Sequence, residues 1–344
     1  MTQAPQSTEI FDAHSDLLLE LAHRSGEPEP FARYWLGPLQ QGGVRIQVCA
    51  LTAHFDQLPD RALQQTIGQI QACYRAVREN SSVSLICSAQ GLDSVLGTPE
   101  QQGLILALQG SESLGYSVEL ADIFWNLGVR MFALAWIRRN PFADAVAEAP
   151  AGGLSKLGRV LIDRLTTKGA IVDLAHTNDA TFFDALERGP RGRMLVSHGG
   201  CRAVRASQRN LSDAQLEALA ECGGMLGIMM LPSGIDPDRP EISRVIDHLD
   251  HAVDVIGIDR VGLGADFGRQ VALAGAIKRP PDSLRPAHMG LDFSIDDLAG
   301  PEHYPNLVRA LQGRGYDGER LRAILSGNLI KFFSQALPAA ARPA

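Results

Sequence analysis

The chain is short of cysteine. Cys49, Cys73, Cys87, Cys201 and Cys222 are the full set, with no C-x-x-C pair and no regular spacing. An odd, scattered set reads as reduced thiols rather than a disulfide framework. Long hydrophobic runs are missing too: the apolar stretch at 225–231 falls far below the ~20 residues that cross a bilayer. There is no Lys/Arg stripe. The 32 basic and 39 acidic residues are interspersed, for a net charge of −7, so neither nucleic acid nor a membrane surface is an expected partner. Residues 1–9 are polar and lack an apolar h-region; no signal peptide is expected, and a cytoplasmic protein is the default. No Gly-rich nucleotide fingerprint follows the first strand. No Gly-x-Ser-x-Gly elbow is present, which argues against a serine triad. Internal repeats, linkers and a second domain are also missing, so residues 1–344 are expected to form one domain.

What is present is a substantial core and a rhythm. Hydrophobic residues make up 45% of the 344 and charged residues 21%, enough for one large barrel or two ordinary domains. Short β-rich runs are expected at 9–13, 44–51, 104–108, 130–135, 170–175, 194–196, 225–231 and 261–265. Helical periodicity is expected at 17–23, 61–79, 118–127, 154–167, 179–187, 213–222 and 242–256, with two more stretches within 307–337. Gly128, Gly169, Gly223 and Gly257 follow four of these helices, where glycine suits a left-handed cap. Several strands are continuously apolar, as strands covered on both faces are. Eight strand–helix alternations point to an α/β fold, a single (β/α)8 TIM barrel, with a doubly wound open sheet as the alternative. Residues 81–96 read as a small extra element, and 268–304, rich in Pro, Asp and Gly, as a long loop over the C-terminal ends of the strands.

Residues with ligand chemistry stand where the strands stop. His14 and Asp16 follow the first strand, His176 the fifth, His198 the sixth and Asp266 the eighth. In an extended segment residues two apart share a side, so a His-x-Asp pair can hold one metal. A lone histidine at a strand end is more often a hydrogen-bonded structural residue than a ligand; several strand ends with the same chemistry at a barrel mouth point to a metal site. His248-Leu249-Asp250 has the same His-x-Asp form, but it lies in a helical pattern where residues two apart diverge. It reads, with His251, as a polar helix face. Cys201 follows His198 closely but reads as a buried small residue.

These motifs resemble, in order and over almost the whole chain, the membrane (renal) dipeptidase family of metallopeptidases, peptidase family M19. The resemblance runs from Phe11-Asp12-Ala13-His14-Ser15-Asp16 to Leu325-Ser326-Gly327-Asn328-Leu329. It passes through Gly42-Gly43-Val44, Leu127-Gly128-Val129-Arg130, Gly153-Leu154-Ser155, Asp173-Leu174-Ala175-His176, Ser207-Gln208-Arg209-Asn210, Asp247-His248-Leu249-Asp250-His251 and Gly262-Leu263-Gly264-Ala265-Asp266-Phe267. The resemblance implies a (β/α)8 barrel with zinc, one or two ions, that hydrolyses dipeptides, often with a D-residue at the C-terminal position, and a possible homodimer. It implies that His14 and Asp16 bind one metal and His176 and His198 a second. Asp266 would move the proton of the attacking water, and Arg209 would hold the substrate's backbone or terminal carboxylate.

Two positions depart from the pattern. The family bridges its metals with a glutamate where this chain has Gln109, which offers a carbonyl oxygen but no charge; two dications need anions to offset their repulsion. Either Glu112 reaches the metals from the loop, or the site holds one metal, or turnover is lost. Glu112 also reads as an ordinary helix-start carboxylate. The second departure is Trp136, where the family has a histidine that stabilises the tetrahedral intermediate. Indole donates one hydrogen bond but carries no positive charge, so that task would pass to the metal, Arg209, or nearby Arg138 and Arg139. The expected activity is metal-dependent hydrolysis of a small peptide or amide. A mononuclear amidohydrolase acting on another amide or lactone, and a non-catalytic barrel that binds peptides, are the alternatives.

Overall fold

Strands that are apolar on both faces need cover on both, and this chain provides it by curling them into a ring. The structure, a computed structural model, describes residues 9–148, 150–277 and 294–340. Its strands are β1 (Ile10–Ser15), β2 (Val44–Thr52), β3 (Val83–Leu85), β4 (Gln102–Gln109), β5 (Val129–Ala133), β6 (Ile171–Asp173), β7 (Met194–Gly199), β8 (Met225–Ile228) and β9 (Val261–Leu263). All pairings between them are parallel. Eight strands follow the order β1, β2, β4, β5, β6, β7, β8, β9, and β9 returns to β1. The long β2–β4 pairing runs from Ile46 opposite Gly103 to Thr52 opposite Gln109. β3 lies outside the ring. It takes the first half of the β4 edge whose second half pairs with β5. With the helix Ala89–Leu96 it accounts for the extra element expected at 81–96.

Alternation sorts the core. Phe11, Ala13, Ile46, Val48, Ile105, Ala107, Met131, Ile171, Leu195 and Met225 come from seven ring strands yet form one cluster, so they fill the barrel interior. Phe332 and Phe333 of the helix Asn328–Ala336 close its lower end, with the Phe11 and Phe333 rings 4.9 Å apart. The opposite strand faces pack under the helices. The helices expected at 17–23 and 242–256 are found as Leu17–His23 and Ile242–Ile256. Gly128, Gly169, Gly223 and Gly257 have φ of 91°, 75°, 83° and 79°, the positive range that favours glycine after a helix.

Two segments differ from expectation. Residues 32–41, unassigned by pattern, form a π-helical turn Ala32–Leu36 running into the helix Gly37–Gln41. Trp35 is buried there and donates to Glu20 Oε2 at 3.0 Å; the anchor is tertiary, so a short segment with Pro38 gave no helical period. The stretch expected as a loop at 268–304 begins with a helix, Arg269–Leu273, and ends in the short turn Pro301–His303; its middle lies outside the described residues. Among the described residues no helix is long and apolar enough to cross a membrane.

At the upper end of the interior β7 bulges. The β7–β8 register breaks between Val196 and Gly199, and the Ser197 peptide swings towards Gly227 and Gly264. A Cβ added at Gly264 would stand 1.8 Å from the Ser197 carbonyl oxygen, and one at Gly227 2.0 Å from it. Gly264→Ala must therefore displace β7, whereas Gly313→Ala, in the helix Tyr304–Arg314, meets nothing within 4 Å. Denaturant unfolding is expected to show G264A destabilised by about 1–3 kcal/mol or more and G313A unchanged or stabilised by up to about 1 kcal/mol. Equal stabilities for the two variants would contradict this packing.

Candidate metal centre

Because every ring strand is parallel, all eight C-terminal ends meet at one mouth, and the residues picked out at strand ends meet there. His14 Nε2 lies 3.7 Å from Asp266 Oδ1, and His198 Nε2 4.0 Å from Asp266 Oδ2. His14, Asp16 and Asp266 each offer a ligand atom, all within 4.8 Å of one another. The His14 ring stacks on His198 with centroids 3.7 Å apart. His176 Nε2 is 2.9 Å from His198 Nε2. The five side chains thus form one continuous cluster, contributed by the ends of β1, β6, β7 and β9.

Local backbone irregularities aim these groups. The β1–β2 register breaks between Asp12 and Ser15, and the β7 bulge spans Ser197 and His198, so His14 and His198 leave strict alternation and turn into the mouth. His176 and Asp266 sit at φ of 65° and 58°, a left-handed conformation rarely taken by residues other than glycine and typical of functional sites. Asp12 steadies two of the segments: its Oδ1 accepts from the backbone N–H groups of His14 at 3.1 Å and Ala265 at 2.9 Å. Asp173 steadies a third, accepting from the N–H groups of Ala175 and Ser197, both at 3.0 Å.

One hydrogen-bond chain sets the state of His198. The Ser197 hydroxyl donates its single proton to Asp173 Oδ2 at 2.5 Å and lies 2.8 Å from His198 Nδ1. With that proton committed, His198 Nδ1–H must donate to the serine oxygen, which leaves Nε2 with its lone pair in the cluster. Arg209 donates to the His198 carbonyl at 2.9 Å, and its Nη2 stands 3.5 Å from His176 Nε2. Burial lowers the Arg209 pKa to about 10.

Gln109 and Thr52 face each other across the ring-closing pair. The Thr52 hydroxyl is 2.7 Å from Asp16 Oδ1 and 2.5 Å from Gln109 Oε1, and one proton cannot serve both. Asp16 as a carboxylate takes it; Gln109 then meets the hydroxyl with its NH2, which turns the amide oxygen towards His176. In that orientation the position now occupied by Nε2, 3.4 Å from His176 Nε2, holds the oxygen.

Glu112 is placed elsewhere. It starts the turn Glu112–Leu114, and its Oε1 accepts from the Trp136 N–H and the Asn140 amide, both at 3.2 Å. It braces the loop after β5, and burial raises its pKa to about 7. Trp136 packs on Phe55 at 4.9 Å and on His54 at 6.0 Å. Arg138 is half-buried on the same loop. Arg139 is turned away in a two-pronged pair with Asp144, at 2.5 and 2.7 Å. His248 is structural: its Nδ1 accepts from the Cys201 N–H at 2.8 Å and its Nε2 lies 3.1 Å from the Ile235 carbonyl. His251 pairs with Asp213 at 2.7 Å. Burial pushes the Cys201 thiol up to about 12, which leaves no thiolate for attack. Thr52, Asp173 and Ser197 touch the cluster and carry no signal of their own in the sequence; of these only Asp173 stands inside a quoted motif.

The donor set fits a divalent cation. Both ring nitrogens of His14 are buried without a hydrogen-bond partner, a costly state for a polar ring unless an ion takes up a lone pair. Burial, with the Arg209 charge adding to it, lowers the His14 pKa to about 3, so the ring is neutral and able to ligate. Asp16 is raised to about 6 by burial. Asp266 is raised well above its usual range by burial and by the Asp16 charge. Buried carboxylates beside neutral imidazoles are what a dication stabilises. The 2.9 Å between His176 and His198 Nε2 needs to open only slightly to the roughly 3.3 Å that separates two nitrogens on one tetrahedral zinc.

Comparison with known proteins gives the family. The family model described as membrane dipeptidase (peptidase family M19) matches residues 2–278. Dipeptidase tcpJ of Claviceps purpurea is 30% identical over 241 residues, 69% of this chain and 52% of its own length. Human dipeptidase 3 is 25% identical over 307 residues, 87% of this chain and 58% of its own length. The chain thus spans a little over half the length of these curated relatives. Among solved structures, a Rhodobacter sphaeroides metallopeptidase liganded with a phosphinate mimic of the dipeptide L-Ala-D-Ala superposes with a TM-score of 0.83 at 22% identity, covering 96% of this chain and 100% of that one, which shows a shared fold. With the family model matching most of its length, this chain belongs to the membrane dipeptidase family, peptidase family M19.

Proposed function

We propose that this chain hydrolyses dipeptides, including those with a C-terminal D-residue, at a zinc centre held by His14, Asp16, His176 and His198. The observation that carries the reading is the convergence of these four with Asp266 at the mouth of a closed barrel, with both nitrogens of buried His14 lacking a hydrogen-bond partner. Its family membership and its relatives named as dipeptidases support the same activity. Zinc, when bound, supplies Lewis-acid polarisation and acidifies water at the site.

The chain's own residues supply the rest. The Asp266 carboxylate oxygens stand between His14 and His198, within reach of a water or a leaving amine at the centre, so Asp266 is the general base and then the general acid. Arg209 is buried, permanently charged and fixed to the end of β7 through the His198 carbonyl; it receives the substrate's carboxylate. Trp136 and Arg138, on the loop beyond β5, are our candidates for contacting substrate from that side. The five cysteines are unpaired and four of them are buried, which suits a reducing, cytoplasmic setting.

Gln109 bears on the number of ions. In place of a bridging carboxylate it presents an amide tied to Thr52, with no charge to offset repulsion between two dications. We infer that one ion is held firmly. Elemental analysis of protein dialysed against buffer is expected to give about one zinc per chain for the natural sequence and closer to two for Gln109→Glu. Two firmly held ions in the natural protein would contradict the inference.

Two assays test the activity. Zinc-loaded protein is expected to release free amino acids from a panel of L,L- and L,D-dipeptides, and a panel left intact would remove the reading. Asp266→Asn is expected to lower kcat by about 10²–10⁴. A variant keeping near-natural turnover would show that proton transfer lies elsewhere.

A further inference from the structure

We propose that Asp173 and Ser197 act as a hydrogen-bond relay behind His198: they fix which ring nitrogen faces the centre and so set how tightly the centre holds zinc. The inference rests on the zinc reading above and adds two positioning residues to it.

One carboxylate serves two strand ends. Asp173 closes β6, and its Oδ1 accepts from the N–H of Ala175 and from the N–H of Ser197, both at 3.0 Å. Ala175 is the residue before His176, and Ser197 the residue before His198. Both histidines of the pair are therefore hung from a single oxygen atom. Their Nε2 atoms meet 2.9 Å apart on the cluster side. The second oxygen, Oδ2, is left for side-chain chemistry. It takes the Ser197 hydroxyl at 2.5 Å, and that hydroxyl lies 2.8 Å from His198 Nδ1. Asp173, Ser197 and His198 are all buried, so bulk water does not compete for these bonds.

The direction of the chain decides the state of the ring. A hydroxyl has one proton to give. Three donors converge on Asp173, and 2.5 Å is the short separation of a hydroxyl on a charged carboxylate. The serine proton goes to Asp173, and the serine oxygen accepts from His198 Nδ1–H. Burial, with neighbouring His14 and Arg209 adding to it, pushes the His198 pKa well down, so the ring carries one proton. With that proton on Nδ1, Nε2 keeps the lone pair a metal needs, and the carboxylate behind the serine makes the ring a more basic ligand. The relay also reaches His14. Both nitrogens of that ring are without a hydrogen-bond partner, and it stacks on His198 with centroids 3.7 Å apart. Fixing His198 therefore helps to seat His14.

Asp173→Asn separates the relay from the scaffold. The amide keeps an oxygen for the two backbone N–H groups and puts an NH2 where Oδ2 stood. The NH2 donates to the serine oxygen, the serine proton turns to His198 Nδ1, and the ring proton moves from Nδ1 to Nε2. Asparagine in place of an orienting aspartate leaves the geometry intact and imposes the wrong tautomer. Ser197→Ala breaks the link outright and leaves Nδ1–H without its acceptor.

Nitrogen-15 NMR of the full-length protein, labelled at histidine, reads the tautomer directly, with the His198 signal assigned by its loss in His198→Gln. Before zinc is added, the natural protein is expected to carry the His198 proton on Nδ1, and D173N to carry it on Nε2. Zinc affinity, measured by competition with a chromophoric chelator, is expected to fall by about 10–100-fold in D173N and in S197A. S197A, which removes only a buried hydroxyl, carries the affinity comparison if D173N does not fold. A natural protein with the proton on Nε2, or D173N with it still on Nδ1, would overturn the proposal. Unchanged zinc affinity in both variants would do the same. Neither readout depends on turnover. Protein that binds zinc and shows the expected tautomers but leaves dipeptides intact loses the dipeptidase reading and keeps the relay. A natural protein that binds no zinc removes both.

Discussion

The pairing of β2 with β4 is the constraint on which the rest depends. In the strand order found here, an open sheet would leave Thr52 and Gln109 on opposite edges, seven strand spacings of about 4.8 Å apart, or roughly 34 Å. Closure brings the threonine hydroxyl to 2.5 Å from the glutamine side chain. The same closure turns a line of strand ends into a rim, so that His14 from β1, His176 after β6, His198 from β7 and Asp266 after β9 face one small volume. The helices then serve the ring twice. They cover its outer apolar face, and the helix Ala62–Glu79 also reaches in with Gln65 and Gln69 to fix the chain beyond β2.

Concentrating ionisable groups at a buried mouth is costly, and the structure offsets the cost unevenly. Asp173 receives the Ser197 hydroxyl and two backbone N–H groups, and Asp12 receives two backbone N–H groups. These carboxylates are structural, and their work is to fix His14 and His198. Asp16 has the Thr52 hydroxyl, and Asp266 has histidines at 3.7 and 4.0 Å. The contrast separates the carboxylates that hold the scaffold from those that face the centre. A divalent cation among His14, Asp16 and Asp266 would relieve the second group, which is why metal binding and the shape of the mouth are two sides of one arrangement. Gln109 fits the same logic: a neutral side chain adds no further negative charge to the site and gives a second cation less to bind.

Much of this was legible in the sequence because a parallel barrel has a simple grammar. A continuous apolar run followed at once by His or Asp marks a side chain at the mouth, and His14, Asp16, His176, His198 and Asp266 were all found that way. Helical spacing separates His248 from its neighbouring aspartate, and its ring is spent on the Cys201 and Ile235 backbones. What stayed hidden depends on contacts between distant segments. Thr52 and Ser197 are hydroxyls that carry no spacing signal. The bulges in β1 and β7 and the left-handed backbones of His176 and Asp266 leave no mark that pattern reading can detect. The segment 32–41 shows no helical period because its order comes from Trp35 bonded to Glu20 rather than from its own sequence. The helix Arg269–Leu273 leaves no periodic signal because it is short and sits in a stretch rich in loop residues.

The central claim is that five side chains from four strand ends form a single cation-binding centre. A crystal of zinc-loaded protein, measured on both sides of the zinc absorption edge, tests it most directly. An anomalous peak about 2.0–2.2 Å from His14, Asp16 or the His176–His198 pair is the predicted result. Zinc density confined to other parts of the surface, with the barrel mouth empty at full loading, would contradict the account.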